Sequence, residues 1–424
     1  MFNLFIFSNW QRRYNVSLLC TIALFICFID RVNISVAILP MQAEFGWNDT
    51  TKGMILASFF IGYMIMQIAG GVLASRYGGK LVLGTAVVLW SLFTILTPIM
   101  AMASLPMLII ARILLGLGEG VSAPAGYSMF KHWVPKTEQA RTISLFSTGA
   151  PLGTMVALLM SGWIINNYGW PMVFYAFGAL GFIWLIFWQL NVYSTPELDP
   201  AISKKELDII YNDKPPVELK QSIPWRNFFK EPAVWALLFT AFSTQWTLYL
   251  FLAWLPSYFT DVHGFGVARA GVYSAAPWLT MILMINVAGY ISDKLIKSGK
   301  STAFTRKLVQ SIGLLGSATF LLLALYVQDS LMALFCTCGA LGALSFCYSG
   351  YAVNPMDIAP KYSETLFGIV NTAATLPGIL AVALTGWLVD VTSSYNSAFI
   401  LAAVLSISGA AVFVIFGKGR PVIN

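Results

Sequence analysis

The chain is 424 residues long, with 58% hydrophobic and only 10% charged residues and a mean hydropathy of +0.75. A soluble domain carries roughly 25% charged side chains, so this composition excludes an ordinary one. The formal net charge of +7 then has to be explained by where basic residues fall in a membrane protein, and it does not argue for nucleic-acid binding.

Apolar runs of roughly 18–25 residues recur along the chain, each long enough to cross a bilayer. They predict twelve transmembrane helices, at about 15–38, 51–75, 81–101, 106–130, 140–166, 171–193, 232–259, 270–293, 306–326, 331–357, 363–389 and 395–417. The first reads as a span and not as a cleaved signal peptide, because it is too long, lacks a small-residue cleavage site and carries Asp30 and Arg31. An even number of spans puts both termini on one side. Of the 25 lysines and arginines, Arg31 and Arg112 lie inside spans and Lys52 and Arg269 on the far face, which leaves 21 on the side of the termini. By the positive-inside rule that side is the cytoplasm.

In chain order, the first chemical signal is the pair Asp30 and Arg31 near the middle of helix 1. The second is Arg112 and Glu119 in helix 4, seven residues apart and so on one face, about 10 Å apart along the axis. A charge at mid-bilayer costs roughly 2.5–3.5 kcal/mol, or about 10–14 kcal/mol for four, so such residues persist where they pair or face a watery cavity. A polar site buried in the membrane is the mark of a transporter. Gly116 and Ala123 continue the helix-4 face and leave room for a ligand or a closely packed helix. Arg31 offers a planar, permanently charged fork suited to a carboxylate or phosphate. Glu119 is a group that can carry a proton, and an arginine released by that protonation can take an anion. An ion-pair network that merely locks helices 1 and 4 together stays open as the alternative.

Further on, Gly116-Leu-Gly-Glu-Gly120 has no preceding strand and no Lys-Ser/Thr, so it is not a nucleotide loop. The stretch 194–231 is read as a cytoplasmic linker between an N-terminal six-helix bundle, 1–193, and a C-terminal one, 232–424. Ser203-Lys-Lys-Glu206 resembles a capping box, where a short amphipathic helix can start. The five cysteines (Cys20, Cys27, Cys336, Cys338, Cys347) all fall in spans without CxxC spacing and read as small packing residues. His132 and His263 lack metal-ligand spacing, so no metal and no cofactor is expected. Trp47, Trp170, Trp225 and Trp254 fall near helix ends, as an interfacial belt would place them, whereas Trp278 and Trp387 lie deeper.

The halves echo each other. Gly71-Val-Leu-Ala-Ser-Arg-Tyr-Gly-Gly-Lys80 follows helix 2, and Gly289-Tyr-Ile-Ser-Asp-Lys294 follows helix 8, as internal repeats of a secondary transporter would. These loops resemble the signature of the major facilitator superfamily. The first has Ser75 where the signature has Asp, and the second keeps Asp293. Five more stretches narrow the resemblance to its anion:cation symporter family: Asp30-Arg-Val-Asn-Ile-Ser-Val-Ala37, Ser58-Phe-Phe-Ile-Gly-Tyr-Met-Ile-Met-Gln-Ile-Ala-Gly-Gly71, Arg112-Ile-Leu-Leu-Gly-Leu-Gly-Glu-Gly120, Gly169-Trp-Pro-Met-Val-Phe-Tyr175 and Asn354-Pro-Met-Asp-Ile-Ala-Pro360. That family includes bacterial sugar-acid/proton symporters, sialin, vesicular glutamate and nucleotide transporters and plastid phosphate transporters.

The resemblance implies roles. Arg31 and Arg112 would coordinate the substrate anion, Tyr63 and Asn371 would contact it, Asp30 and Glu119 would couple protons, and Arg76 and Asp293 would serve gating. For Tyr63 and Asn371, helix packing stays open. Asp30 favours the bacterial type. Thr244 stands where vesicular glutamate transporters carry an arginine, and Leu56 and Tyr127 stand where some animal members carry histidines, which speaks against glutamate as substrate and against animal-type chloride control. The expected protein is a monomeric, proton-coupled symporter of a small organic anion in a bacterial inner membrane. A sodium-coupled or exchanging carrier for phosphate or nucleotide is the alternative. An enzyme would need clustered acids or histidines in larger loops, and a channel a repeated filter sequence.

Overall fold

A computed structural model describes residues 10–212 and 225–423. Among these residues the regular structure is helical, with no strand, as a lipid-embedded chain requires when every backbone polar group must be satisfied internally. The helices are α1 Arg12–Phe45, α2 Asp49–Tyr77, α3 Gly79–Ala103, α4 Leu105–Glu119, α5 Ser122–Trp133, α6 Lys136–Tyr168, α7 Trp170–Asn191, α8 Lys204–Asn212, α9 Trp225–Lys230, α10 Pro232–His263, α11 Val267–Lys297, α12 Thr302–Ala324, α13 Ser330–Leu344, α14 Asn354–Ile358, α15 Ser363–Thr392 and α16 Asn396–Phe416. Among the described residues eleven stretches are long and apolar enough to cross a membrane, and α2, bent by 48° between Asp49–Gln67 and Ala69–Tyr77, makes a twelfth when its two arms are counted as one span. The bend falls beside Gly70–Gly71, the kind of residue pair at which helices kink.

Two predicted spans are interrupted. The helix expected at 106–130 is α4 and α5, parted at Gly120–Val121 within the span Leu105–Trp133. The helix expected at 331–357 ends at Leu344, passes through a 3₁₀ turn Ser345–Ser349 and resumes as α14. There the Tyr351 N–H is shared between the Cys347 carbonyl and the carboxamide oxygen of the buried Gln310, each at 3.0 Å.

The chain forms two compact units: Met1–Ile34, Ser58–Ala157 and Asn167–Lys220 in one, and Ser35–Ala57, Leu158–Asn166 and Gln221–Asn424 in the other. In the first, α2 and α4 cross backbone to backbone. A Cβ added at Gly62 would overlap the Ile113 carbonyl oxygen, and one at Gly116 would overlap that of Phe59. The small face of α4 is therefore filled by a helix, the second of the two uses the sequence allowed. We expect Gly116→Val to prevent this crossing and to yield little monodisperse protein on size-exclusion chromatography. A wild-type elution profile would contradict the packing.

The linker helix α8 docks on the same unit. Ser203 Oγ accepts the Glu206 N–H at 3.2 Å, the first half of the expected capping box. The Glu206 carboxylate takes a different partner, accepting the N–H groups of Arg12 and Arg13 at 3.1 and 3.0 Å. It thus satisfies donors that the start of α1 leaves orphaned and places negative charge at the positive end of that helix. Arg12 Nε pairs with Asp199 at 2.6 Å, and Arg13 pairs with Glu138 at 2.9 Å and Glu206 at 3.3 Å. Glu206→Ala should cost about 1–3 kcal/mol, visible as a lowered melting temperature. An unchanged melting temperature would mean the dock is incidental.

Candidate functional site

The four charged residues picked out by the sequence converge in the first unit, and all are buried: Asp30 and Glu119 are 0% exposed, Arg112 1% and Arg31 5%. The partners are exchanged relative to their order in the chain. Arg31 Nε donates to Glu119 Oε2 at 2.9 Å, joining α1 to α4. Asp30, rotated away on the same helix, lies near Arg112, Glu119 and Thr94. The Thr94 hydroxyl donates to the Trp90 carbonyl at 2.9 Å. Neither Asp30 carboxylate oxygen, nor Arg112 Nε or Nη1, nor Glu119 Oε1 has a hydrogen-bond partner among the described residues. An unmatched buried polar group costs about 1–3 kcal/mol. A site that keeps several of them is arranged for something other than stability.

Around Arg31 stand three rings. Its guanidinium carbon lies 4.2 Å from the Phe28 centroid, 4.4 Å from Tyr63 and 5.0 Å from Phe59. Phe59 also lies 5.3 Å from the Arg112 guanidinium. The α2–α4 crossing at Gly62 and Gly116 delivers Phe59 and Tyr63 to this place. Cys27, one turn before Arg31, donates its thiol to Glu119 Oε2 at 3.3 Å and accepts from Arg31 Nη2 at 3.7 Å. The expectation that the cysteines only fill space is thus corrected for Cys27, because a thiol donates to an acceptor placed within reach. All five cysteines are free. Sequence reasoning missed Cys27, Phe28 and Phe59. Their signal was spacing: Cys27 and Phe28 sit four and three residues before Arg31, and Phe59 sits four before Tyr63, positions that share a helix face.

Asn371 is on α15 in the second unit, with its side chain exposed. Arg76 and Asp293 are exposed, and neither makes an ion pair among the described residues. Arg76 lies over the ring of its neighbour Tyr77 at 5.4 Å. Of the tryptophans read as an interfacial belt, Trp170 and Trp254 are 5% and 1% exposed, because their indoles pack inward. Trp254 donates to the Val382 carbonyl at 3.0 Å.

The second unit holds a further buried charge, Lys52, which the sequence had placed simply on the far face. Its side chain is 0% exposed. Nζ donates to Gln42 at 3.0 Å, pairs with Asp49 at 3.3 Å and Asp261 at 3.8 Å, and lies 4.9 Å from the Trp254 ring. Asp261 also accepts the Tyr395 hydroxyl at 2.6 Å. Asp390 closes the set, accepting the N–H groups of Asp49 and Thr50 at 3.0 and 2.8 Å and the Thr50 hydroxyl.

Residues 20–382 match the Major Facilitator Superfamily. The chain belongs to the major facilitator superfamily. It is 42% identical to "Probable anion transporter 4, chloroplastic" of Oryza sativa subsp. japonica over 98% of this chain and 71% of that protein. It is 40% identical to the "Ascorbate transporter, chloroplastic" of Arabidopsis thaliana over 98% and 77%. It is also 40% identical to the "Sodium-dependent phosphate transport protein 1, chloroplastic" of the same plant over 98% and 81%. Among solved structures, an inward-facing, occupied bacterial homologue of the human lysosomal transporter Spinster shares the fold, with a TM-score of 0.79 at 19% identity over 96% of this chain and 97% of that one. This major facilitator protein is therefore an integral, multi-pass membrane protein and a secondary transporter, not an enzyme.

Proposed function

We propose that this transporter carries a small organic anion, such as a sugar acid or other carboxylate, together with protons by alternating access. The observation that carries the reading is the buried Arg31–Glu119 pair at 2.9 Å, with Asp30 and Arg112 beside it. While Glu119 is ionised it occupies Arg31. When Glu119 takes a proton, Arg31 is released to bind an anion through its fork. Arg112, with two nitrogens unpartnered, supplies a second fork, and Tyr63 lines the same place. Asp30 is the second proton carrier, and Asn371, Arg76 and Asp293 keep the substrate-contact and gating roles that the family resemblance implies. The relatives named for ascorbate and for anions support an anionic cargo.

The proposed unit is a monomer with both termini cytoplasmic, in a bacterial inner membrane. The basic-residue distribution supports the orientation and Asp30 the bacterial type, while the relatives' names place those proteins in chloroplasts. The second reading, sodium-coupled or exchanging carriage of phosphate or nucleotide, has in its favour the relative named a sodium-dependent phosphate transport protein. Proteoliposome uptake of labelled sugar acids, ascorbate and phosphate under an imposed proton or sodium gradient separates the two. Accumulation of a carboxylate driven by acid outside supports proton symport. Accumulation only with sodium, or of phosphate alone, overturns it.

A further inference from the structure

We propose that Phe28, Phe59 and Tyr63 form an aromatic box around the Arg31 guanidinium, making Phe28 and Phe59 positioning residues for anion capture; this rests on the reading of Arg31 as an anion-binding group. Three ring centroids lie 4.2, 4.4 and 5.0 Å from one guanidinium carbon, all within the range of about 6 Å at which cation–π attraction is significant. Three rings from two helices, Phe28 on α1 and Phe59 and Tyr63 on α2, meet on this one side chain. The rings are themselves fixed. Phe59 is 0% exposed and stacks on Tyr63 at 5.7 Å and 27°, and its backbone is pinned by the α2–α4 crossing.

The chemistry explains why rings stand here. When Glu119 takes up a proton, Arg31 loses the carboxylate charge that faced it. A further acid would compensate it but would also compete with the substrate for the N–H groups. An aromatic face stabilises the cation through its quadrupole and brings no negative charge to compete with a carboxylate or phosphate substrate. Phe59, 5.0 Å from Arg31 and 5.3 Å from Arg112, does this for both arginines. The box therefore keeps Arg31 aimed through the exchange from Glu119 to anion.

The test replaces Phe28, and separately Phe59, by phenylalanines carrying one, two and three ring fluorines, which withdraw ring electron density while nearly preserving shape. The full chain is used, with the same series at Phe174, a buried ring packed on Trp170, as control. The melting temperature is expected to fall stepwise with fluorine number at 28 and 59, to stay level at 174, and to lose its fluorine dependence at 28 in an Arg31→Met background. Phe28→Trp should retain wild-type behaviour where Phe28→Leu does not. With L-ascorbate as the uptake probe, KM should rise about twofold per fluorine at unchanged kcat, as expected for a graded loss of cation–π attraction. A level melting series at 28 and 59, or an equal slope at 174, overturns the box even if the protein transports anions. Failure of ascorbate uptake by the wild-type protein counts against the proposed cargo and leaves the melting series to decide the box.

Discussion

Glu119→Gln is expected to lose accumulation against a gradient while keeping substrate exchange. Glutamine has the shape of the protonated acid and can still accept from Arg31, now through a neutral contact in place of the charge-assisted bond at 2.9 Å. The site is then held in its proton-loaded form. Anion binds and crosses, but no proton is released on the far side, so a proton gradient no longer drives uptake. Counterflow should persist, because the anion still meets both arginines. Net uptake should lose much of its dependence on pH, with Asp30 left as the remaining proton carrier. Concentrative uptake by the mutant at normal expression would remove Glu119 from the coupling path.

Arg112→Lys should abolish transport although the charge is kept. Arg112 is 1% exposed, and its Nε and Nη1 have no partner. An ammonium is a point charge that cannot offer two parallel N–H bonds to one carboxylate. Each charge-assisted hydrogen bond is worth about 1.5–3 kcal/mol, so losing the bidentate arrangement costs on the order of a hundredfold or more in kcat/KM. Comparison of folded mutant and wild type in proteoliposomes measures this. Near-normal uptake would show that Arg112 supplies charge alone.

What the sequence could show followed the size of the penalties involved. The spans were legible because apolar runs of that length have few other uses. Asp30, Arg31, Arg112 and Glu119 were legible because charge inside a span is costly. Partner choice was not legible, since it depends on how α1 and α4 are rotated about their axes. Nothing in the order of residues says that Arg31 pairs with Glu119 and not with its neighbour. Phe28 and Phe59 were hidden for the opposite reason: in a membrane segment a phenylalanine is unremarkable until a cation is found under its ring. The breaks after Glu119 and Leu344 were missed because the apolar signal runs straight through them. The linker acid Glu206 was seen as a helix cap, but its reach to the start of α1 crosses almost two hundred residues of chain.

The Lys52 cluster is lopsided. The lysine is wholly enclosed, whereas the side chains of Asp49 and Asp261 keep 23% and 40% of their exposure. Deleting both acids strands a cation away from water, at a cost of about 3–5 kcal/mol for an uncompensated buried charge. Deleting the lysine leaves two acids that water already reaches. Lys52→Met should therefore melt close to wild type and the Asp49→Ala, Asp261→Ala double mutant well below it, and adding Lys52→Met to that double mutant should restore much of the loss. Over generations of drift the same asymmetry imposes a direction on change: the base can be given up first and the acids afterwards, while the reverse path runs through a protein that barely folds.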